Sequence, residues 1–540
     1  MKIKQKQENT SKSQKGPSVP VGLNLKPKHS IMKIVNKSFL ILSLTLLVST
    51  ASIAQKKVEK SNIRTLVVFF DGLRPDYITP ELMPNVYLFS KKGSYGKQHH
   101  SVFPTVTRVN ASSLSTGCYP GSHGLMGNTV YFPQINETAG LNTGDAEELS
   151  KITKATDNHL LTSVSLGEVL EQNGKSLFVF SSGSTGQALM QNHKVSGGAI
   201  INTSMILPES MQAKILSEIG TVPTGLDKHK WLTDAVIKYG LTLDGPLVST
   251  LWYGDPDSAA HKNGIGSPEA IASIKFVDEQ FGRILQTLHS KGLEENFNII
   301  ISSDHGFVTH VGKQGLADFL ITKGFKKDKE SSDVVVSEGA IYIKNHDLQI
   351  IKNIVATLQE QEWVGGIYTK NEEVGAVKGS VEGTLSFETI HWDHPERSGD
   401  ILVDMNWNDT KNEAGYAGTS FARGVAGHGG FSPYEIHIAL LAGGPSFKKK
   451  FEGNLPTSNI DIIPTILHLH NLKSTKEMDG RVMYELLTEK VPNTVELTSK
   501  IELIKTEVKL PWGVYKLEME RSVLGNYNYS NFTKVVRNKK

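Results

Sequence analysis

Four short apolar runs, each followed at once by small or acidic residues, constrain the fold of this chain more than any other feature. They are Arg64–Phe70, Leu177–Phe180, Leu247–Tyr253 and Phe297–Ile301. Continuous apolar runs of this length, rich in β-branched and aromatic residues, are typical of strands buried on both faces of a parallel sheet. The sequence therefore predicts neighbouring parallel strands whose ends carry polar side chains.

Amphipathic stretches separate these strands. The spacing of apolar residues predicts helices over Leu161–Gln172, Lys228–Tyr239 and Ser267–Lys291. Strands that alternate with helices predict an α/β fold, with a doubly wound, mainly parallel sheet and helices on both faces. Further along, Glu435–Leu441 is predicted to be another core strand and Asn459–His470 a helix.

Changes in composition and in the spacing of apolar residues along the chain predict four parts. Residues 1–54 are predicted to be an N-terminal extension with a signal peptide. Residues 55–322 are predicted to form the first part of the catalytic α/β core, and residues 427–540 its second part with a C-terminal extension. Short strands, turns and one helix near Leu348–Gln359 predict a small inserted α+β cap over residues 323–426, hereafter the cap segment.

The N-terminus has the pattern of a secretory signal. A basic stretch after Met32 precedes an apolar run from Phe39 to Val48, and small residues lead to a predicted cleavage between Ala54 and Gln55. The run is too short for a stable membrane anchor, which needs about 20 apolar residues. An uncleaved signal anchor is the alternative interpretation, and Met32 is an alternative start.

Removal of this segment changes the charge of the chain. Residues 1–54 hold nine Lys and one Glu, so the net charge moves from +3 to −5. No basic tract remains that would favour nucleic acid or an anionic membrane surface. Cys118 is the only cysteine, which excludes an intrachain disulfide and a Cys-based zinc site. A secreted chain without disulfides is typical of a bacterial periplasm, so we expect a periplasmic or secreted protein.

Residues with carboxylate or imidazole side chains come directly after the predicted strands. In doubly wound sheets, ligands bind at this edge, beyond the carboxyl ends of the strands. Asp71 ends the first strand, and Asp304 and His305 follow the fourth. Asp257 and His261 lie four residues apart, a spacing that places both side chains on one side of a helical turn. We therefore expect these groups to meet at one edge of the sheet.

His428, in a Gly-His-Gly-Gly loop, completes the candidate ligand set. Oxygen and nitrogen ligands without thiolate are typical of catalytic zinc, and they also accept manganese or iron. Each residue alone has an ordinary alternative, because Asp at a strand end commonly forms a turn or caps a helix, and glycines flank many loop residues. It is their joint occurrence that favours a metal centre.

The hydroxyl group of Thr107 is the candidate nucleophile. Pro104 ends a strand, and Ala111–Thr116 is predicted to be the beginning of a helix. A hydroxyl at the start of a helix faces free backbone N–H groups and the positive end of the helix dipole, both of which favour phosphate. The alternative is that Thr107 is an ordinary N-cap residue.

Together these motifs resemble those of the nucleotide pyrophosphatase/phosphodiesterase family of the alkaline phosphatase superfamily. The resemblance runs in the family's order from residue 65 to about residue 470. Its motifs are Asp-Gly after the first strand, Phe-Pro-Thr-x-Thr, Thr-Gly-Cys-Tyr-Pro-Gly-Ser-His-Gly-Leu followed by Asn128, Asp-Pro-Asp-x-x-x-His, Ser-Asp-His-Gly-Phe and Gly-His-Gly. The resemblance implies an alkaline-phosphatase-like fold and hydrolysis of phosphodiester or phosphoanhydride bonds through a phosphothreonine.

The resemblance also implies a role for each matched residue. The implied ligands of one zinc ion are Asp257, His261 and His428, and those of the other are Asp71, Asp304, His305 and the Thr107 oxygen. Thr107 would be the nucleophile, and Asn128 would donate a hydrogen bond to a phosphoryl oxygen. The charges of two zinc ions would then balance three carboxylates and one threonine alkoxide.

Two positions bear on the substrate, which we expect to be a small phosphate ester such as a nucleotide. Threonine-using phosphomonoesterases of the superfamily carry Lys-x-Arg where this chain has the uncharged stretch Phe180–Gly186, which favours diesters. Arg108 stands where nucleotide-specific members often have an aromatic residue. It is a candidate substrate contact, to a base or to a second phosphate, with a surface cation as the alternative.

Several other functions are less favoured. An alkaline-phosphatase-type phosphomonoesterase is the first alternative, and a phosphonoacetate hydrolase-like phosphonate hydrolase is the second. Sulfatases are disfavoured because Cys118 lacks their Cys-x-Pro-x-Arg context. A binding protein without catalysis is disfavoured because every matched ligand and the nucleophile are present. The stretch His391–His394 in the cap segment is expected to form a loop or rim rather than a further metal site.

Overall fold

The computed structural model describes residues 63–540, so the predicted signal peptide lies outside the described part. The strands, numbered β1 to β23 in chain order, are Arg64–Phe70, Ser94–His100, Thr129–Val130, Leu141–Asn142, Leu177–Ser181, Ala199–Asn202, Met205–Leu207, Val248–Tyr253, Phe297–Ser302, Val308–Gly312, Val334–Ser337, Ala340–Ile343, Val364–Thr369, Leu385–Ser386, Ile401–Met405, Trp407–Lys411, Ala417–Arg423, Ala426–Gly427, His437–Gly443, Phe451–Ser458, Ser499–Leu510, Gly513–Leu524 and Tyr527–Lys539.

The α-helices, numbered α1 to α14 in the same way, are Pro84–Lys92, Thr107–Thr116, Pro120–His123, Ala146–Ala155, Leu166–Gln172, Thr185–Gln191, Gln212–Ile219, Asp227–Ala235, Asp257–Asn263, Pro268–Ser290, Leu316–Thr322, Leu348–Gln359, Pro433–Ile436 and Ile462–Leu469. A π-helical turn, Val236–Gly240, continues α8. Among the described helices, none is long and apolar enough to cross a membrane.

Nine of the described strands form the central sheet, in the order β20-β2-β19-β9-β1-β8-β5-β6-β7. Strand β1 pairs in parallel with both β8 and β9, and β5 pairs in parallel with β8 and β6. Antiparallel pairs join β19 to β2 and β9, and β6 to β7. The prediction of a doubly wound, mainly parallel sheet is confirmed.

Alternate side chains of β1 enter two different hydrophobic cores. Val67 and Phe69 belong to the core that includes residues of α2 and α5, whereas Leu66, Val68 and Phe70 belong to the core that includes residues of α10. Successive residues of a strand point to opposite faces of the sheet. Helices therefore cover both faces, which is why this strand is apolar at consecutive positions from Leu66 to Phe70 rather than at alternate ones.

Two predicted elements begin later than expected. The helix predicted from Leu161 starts at Leu166, because Ser165 accepts a hydrogen bond from the backbone N–H of Glu168 and the Glu168 carboxylate accepts one from the N–H of Ser165. This capping box fixes the helix start. The strand predicted from Glu435 starts at His437, because the preceding residues form the short helix α13.

The cap segment contributes two sheets. One has five strands in the order β11-β12-β15-β13-β14, and residues of helix α12 share its hydrophobic core. In the other, β16, β17 and β18 join β10, which follows the core strand β9. The hairpin between β11 and β12 turns at Glu338, whose φ is +58°.

Three long antiparallel strands, β21 to β23, form the C-terminal extension. No strands were predicted here, although charged and apolar residues alternate around Ile501 and Leu503. In the structure, Gly525 adopts φ +58° in the turn between β22 and β23. Tyr515 and Met519 of β22 are fully buried. The extension is therefore packed against the rest of the protein.

Candidate metal centre and active site

Three adjacent strands of the central sheet carry most of the candidate ligands. Asp71 follows β1, and Asp304 and His305 follow its parallel neighbour β9. Asp257 and His261 lie on α9, which comes soon after β8, the parallel neighbour of β1 on the other side. Because the carboxyl ends of parallel strands share one edge of a sheet, these side chains meet there.

The first group of candidate ligand atoms, hereafter the inner half, is buried. His305 Nε2 lies 2.9 Å from Asp304 Oδ2 and 3.6 Å from Asp71 Oδ1. The other oxygen of each carboxylate is already bound, since Trp252 Nε1 donates to Asp71 Oδ2 at 2.9 Å and Gly72 N–H donates to Asp304 Oδ1 at 3.0 Å. Asp71 Oδ1 and Asp304 Oδ2 accept no hydrogen bond from the described residues.

The second group, hereafter the outer half, is centred on Asp257 and is more open to solvent. Asp257 Oδ1 lies 3.1 Å from His261 Nε2, one helical turn away, and 3.4 Å from His428 Nε2. This oxygen also lacks a hydrogen-bond partner in the described chain. The rings of His305 and His428 stack with their centres 3.4 Å apart, so the two halves form one continuous cluster.

All three imidazoles of the cluster are oriented in the same way. The Nδ1 atom bonds a backbone carbonyl in each case: His261 to Ala426 at 3.0 Å, His305 to Gly306 at 3.0 Å, and His428 to Thr105 at 2.8 Å. A carbonyl oxygen only accepts, so we assign the proton to Nδ1 and the free lone pair to Nε2. This is the tautomer and orientation that metal-ligating histidines adopt.

The electrostatics of the two halves differ. Burial raises the pKa of Asp71 well above its ordinary value, and the neighbouring carboxylates raise it further. Burial acts in the same direction on Asp257, but the neighbouring His261 and His428 bring its pKa below the ordinary value. Burial lowers the pKa of His428 to about 4.

The donor set fits divalent cations of the zinc type. Three carboxylate oxygens without hydrogen-bond partners and three imidazole Nε2 atoms converge, and burial of such groups is costly unless a ligand satisfies them. Oxygen and imidazole nitrogen are the ligands of catalytic zinc sites. Two overlapping groups in the described chain could each hold an ion: Asp71, Asp304 and His305 in one, and Asp257, His305 and His428 in the other.

Thr107 is the first residue of α2, and its hydroxyl oxygen lies 3.3 Å from His305 Nε2. The N-cap position belongs to Val106, so the alternative of Thr107 as an ordinary N-cap residue is wrong. The helix also begins four residues before the predicted start at Ala111. The hydroxyl is therefore directed at the ligand cluster rather than at the backbone of its own helix.

Asn128 is held beside the start of α2 by two hydrogen bonds. Its Oδ1 accepts from the backbone N–H of Arg108 at 3.0 Å, which leaves Nδ2 without a partner in the described chain. Its own N–H donates to Glu338 Oε2 at 2.7 Å, and the N–H of Thr129 donates to the same oxygen at 3.2 Å. The tip of the cap-segment hairpin thus fixes Asn128 beside Thr107.

Sequence analysis missed the residues that hold the loop of His428. Besides its carbonyl contact with His428, Thr105 accepts a hydrogen bond from Gly429 N–H at 3.1 Å and donates one to the Gly430 carbonyl at 2.7 Å through its hydroxyl. The first threonine of Thr-x-Thr therefore ties the histidine loop to the segment that carries Thr107. The Thr-x-Thr motif was the one local sequence feature that marked Thr105, and it did not indicate this contact with the histidine loop.

A buried pair of carboxylates supports the same loop from the other side. Glu435 accepts from Gly430 N–H at 2.8 Å, and Asp404 accepts from Phe431 N–H at 3.2 Å. Burial raises the pKa of both groups, and the charge of Glu435 raises that of Asp404 further. Both also line a cavity of about 270 Å³ beside His428, whose remaining walls are largely apolar. No local pattern marked these two residues.

The stretch His391–His394 does not join the cluster. The ring of His391 stacks on Tyr119 with centroids 4.0 Å apart, Trp392 is buried, and His394 lies 3.3 Å from the Thr162 hydroxyl. Within residues 63–540, the two groups of side chains suited to a metal ion are those of the cluster at the sheet edge. Nothing in the described chain therefore supports a metal site at this stretch.

The fold and the site define an alkaline-phosphatase-like α/β protein whose functional groups lie at the carboxyl edge of its sheet. The model of the type I phosphodiesterase / nucleotide pyrophosphatase family matches residues 65–415. The chain belongs to this family, as its motifs predicted, and members of the family are phosphodiesterases and pyrophosphatases.

Known relatives cover most of the chain. Mouse bis(5'-adenosyl)-triphosphatase enpp4 is 24% identical over 426 residues, which are 77% of this chain and 79% of the relative. Human ectonucleotide pyrophosphatase/phosphodiesterase family member 5 is 24% identical over 489 residues, 88% of each chain. The solved structure of an inactive variant of murine ectonucleotide pyrophosphatase / phosphodiesterase 5 in complex with AMP matches with a TM-score of 0.56 and 20% identity, covering 79% of this chain and 100% of that chain. This last likeness shows the fold alone.

Proposed function

We propose that this chain is an exported two-zinc phosphodiesterase/nucleotide pyrophosphatase that hydrolyses phosphodiester or phosphoanhydride bonds through a phosphothreonine. One observation carries the proposal: three imidazole Nε2 atoms and three unpaired carboxylate oxygens converge beside the Thr107 hydroxyl. Membership of the family supports the reaction class.

Each half of the cluster is proposed to hold one ion. The ligands of the outer ion are Asp257, His261 and His428, and those of the inner ion are Asp71, Asp304, His305 and Thr107. When bound, two zinc ions supply positive charge that stabilises the deprotonated threonine oxygen and the departing oxygen. Trp252 and Gly72 bind the remaining oxygens of the inner carboxylates, so that Asp71 Oδ1 and Asp304 Oδ2 stay free for the metal.

Thr107 is the proposed nucleophile. Its oxygen forms a bond to phosphorus while the bond from phosphorus to the leaving oxygen breaks, and the leaving oxygen takes the electron pair. The backbone N–H of Thr107 has no partner in the described chain and lies at the positive end of the α2 dipole. Asn128 Nδ2 donates to a non-bridging oxygen. Water then forms a bond to phosphorus while the bond from phosphorus to the Thr107 oxygen breaks, which releases a phosphate monoester and restores the threonine hydroxyl group.

The proposed substrate is a small phosphodiester or phosphoanhydride, with nucleotides as the leading class. Two features support this: the relatives include a protein named bis(5'-adenosyl)-triphosphatase and a structure in complex with AMP. In addition, the loop after β5 carries no charged side chain, and Ser184 in it accepts from Gln187 N–H to cap α6. The loop therefore offers no cation for the extra negative charge of a monoester.

The substrate class is tested by comparing bis-p-nitrophenyl phosphate with p-nitrophenyl phosphate on the zinc-loaded protein. We expect the diester to have the higher kcat/KM, and chelation to remove activity that zinc then restores. A higher kcat/KM for the monoester would favour the alkaline-phosphatase-type phosphomonoesterase. Turnover confined to phosphonates would favour the phosphonate hydrolase.

Export to the periplasm or the medium is proposed from the signal pattern at the N-terminus, and the "ecto" designation of a relative supports it. N-terminal sequencing of the protein recovered from a periplasmic fraction is the test. A mature chain that begins at or near Gln55 is expected. A protein that retains residues 1–54 in that fraction would contradict cleavage at this position.

A further inference from the structure

The side chain of Arg108 lies in a niche beside the proposed nucleophile. Arg108 directly follows Thr107 in α2, and its backbone N–H is bonded to Asn128. A Cβ atom at Gly144 would lie 3.5 Å from both Cζ and Nη2 of Arg108, so the loop of Gly144 forms one wall of the niche. Thr143 N–H and hydroxyl both bond the Asn128 carbonyl, at 2.9 and 2.7 Å, and hold that wall in place.

The guanidinium group has no partner in the described chain. Its Nε atom is buried and makes no hydrogen bond, no ion pair joins it to a described carboxylate, and no described aromatic ring lies under it. Among the carboxylates, Glu338 has the largest charge effect on Arg108, but the two form no ion pair, and Oε2 of Glu338 accepts hydrogen bonds from the N–H groups of Asn128 and Thr129. A partly buried planar cation with five N–H donors therefore stands beside the proposed nucleophile, and none of these donors is bonded to a described residue.

Such an arrangement is unfavourable unless a ligand completes it. A buried donor without a hydrogen bond, as Nε is here, costs free energy that a bound acceptor recovers. The guanidinium fork matches the two oxygens of a carboxylate or a phosphate. We propose that Arg108 binds a second anionic oxygen group of the substrate, a carboxylate or a phosphate, and so selects substrates that carry a negative charge beyond the phosphorus under attack. This inference rests on the proposed function.

The position of Arg108 also identifies which substituent carries that charge. In phosphoryl transfer the attacking and leaving oxygens are roughly in line, so the leaving group departs on the side opposite Thr107. Arg108 shares the first turn of α2 with Thr107 and lies on the side of Asn128. From there its guanidinium meets groups at the flank of the phosphorus rather than the departing oxygen. The second anion therefore belongs to the substituent that stays on the transferred phosphorus.

The experiment keeps the leaving group constant and varies the retained substituent. Three p-nitrophenyl phosphodiesters are compared, with ethyl, 2-carboxyethyl or 2-phosphoethyl as the second substituent, on zinc-loaded wild type and on Arg108→Gln and Arg108→Lys. Wild type is expected to prefer a charged ester over the ethyl ester by about 10- to 100-fold in kcat/KM, the size of a charge-assisted hydrogen-bonded pair. The two charged esters distinguish a carboxylate site from a phosphate site.

In Arg108→Gln the preference is expected to fall to about 1, and Arg108→Lys is expected to keep part of it, because lysine retains the charge but not the fork. Zinc content should stay unchanged, since Arg108 supplies no ligand. Arg521→Gln, which removes an arginine paired with Glu502 on the C-terminal extension, is the matched control and should keep the wild-type preference.

Equal kcat/KM for the three esters in wild type, or a preference that survives Arg108→Gln, would overturn the inference. p-Nitrophenyl phosphate is assayed beside the three diesters, and a loss of kcat/KM in Arg108→Gln that is confined to this monoester would also overturn the inference, because the guanidinium would then contact the transferred phosphoryl group itself. Absence of all turnover would instead refute the proposed function. In that case, binding of the same esters to zinc-loaded Thr107→Ala decides the inference: tighter binding of a charged ester supports it, and equal binding overturns it.

Discussion

The inner and outer halves of the ligand cluster are built from the same residue types but in different surroundings. In the inner half, Asp71 and Asp304 extend from two neighbouring buried strands, and two carboxylates meet one imidazole. In the outer half, one carboxylate, Asp257, meets two imidazoles from a short helix and a glycine loop. The inner half is buried, whereas the outer half is partly open to solvent.

This difference in burial and charge suits the two halves to different parts of the proposed reaction, activation of the nucleophile and accommodation of the departing group. The inner half has an excess of buried negative charge next to the Thr107 hydroxyl, which suits a cation that activates the nucleophile. The outer half adjoins the cavity beside His428 and has room for a departing group and for water. In the proposed mechanism, the ends of two buried strands position the groups that activate the nucleophile, and the elements that face solvent accommodate the departing group and water.

The largest expected effect is that of Thr107→Ala, which tests whether both halves serve one nucleophile. We expect kcat to fall by about 10⁴-fold or more, because the covalent step is lost, while two zinc ions remain bound. Steady-state kinetics with bis-p-nitrophenyl phosphate and metal analysis provide the measurement. Thr129→Ala, a nearby threonine outside the ligand cluster, is the matched control. An active Thr107→Ala protein would refute the nucleophile assignment.

The next largest effect separates the two halves by their metal content. Asp304→Ala should leave about one ion per chain, held by the outer half, and His261→Ala should leave about one ion, held by the inner half. The exposed substitution Asp244→Ala should leave two. Inductively coupled plasma mass spectrometry of the purified variants gives the count. Two ions retained in Asp304→Ala would contradict the proposed ligand set.

Asn128→Ala should have a smaller effect that leaves both halves intact. Loss of one donor to a phosphoryl oxygen is expected to lower kcat by about 10- to 10³-fold, with zinc content and melting temperature close to wild type. The same kinetic and metal assays apply. If zinc is lost together with activity, Asn128 acts through the metal centre rather than on the substrate.

The smallest effect concerns the stability of the metal-free protein and differs in sign between the halves. The pKa of Asp71 is raised on folding, so ionisation of this group opposes folding as the pH rises above its ordinary pKa. The pKa of Asp257 is lowered, so its charge favours folding above its ordinary pKa and that contribution is lost in acid. In chelator-treated protein at pH 7, Asp71→Asn should therefore raise the free energy of unfolding and Asp257→Asn should lower it, each by about 1–3 kcal/mol.

Urea unfolding of the two variants beside wild type, all without metal, is the measurement. Asparagine keeps an oxygen for the hydrogen bond that Trp252 donates to Asp71, so the comparison isolates the charge. A change of the same sign in the free energy of unfolding of both variants would contradict the electrostatic difference between the two halves. With zinc restored, both variants should be less stable than wild type, because each lacks a ligand.

The convergence of the proposed ligands could be predicted because most of them follow an element with a strong local pattern. Asp71 and Asp304 come directly after continuous apolar strands, and the spacing of Asp257 and His261 matches one turn of helix. Trp252, Glu338 and Asp404 could not be predicted in this way. They reach the site from positions far apart in the chain, and their partners are backbone or carboxylate groups that leave no spacing pattern.

The measurement that tests the central claim most directly is X-ray diffraction from crystals of the zinc-loaded protein at energies just above and below the zinc absorption edge. We expect two anomalous peaks, one bounded by Asp257, His261 and His428, and the other bounded by Asp71, Asp304 and His305 with the Thr107 oxygen as a further ligand. A single peak, no peak, or a pair of peaks remote from Thr107 would contradict the account.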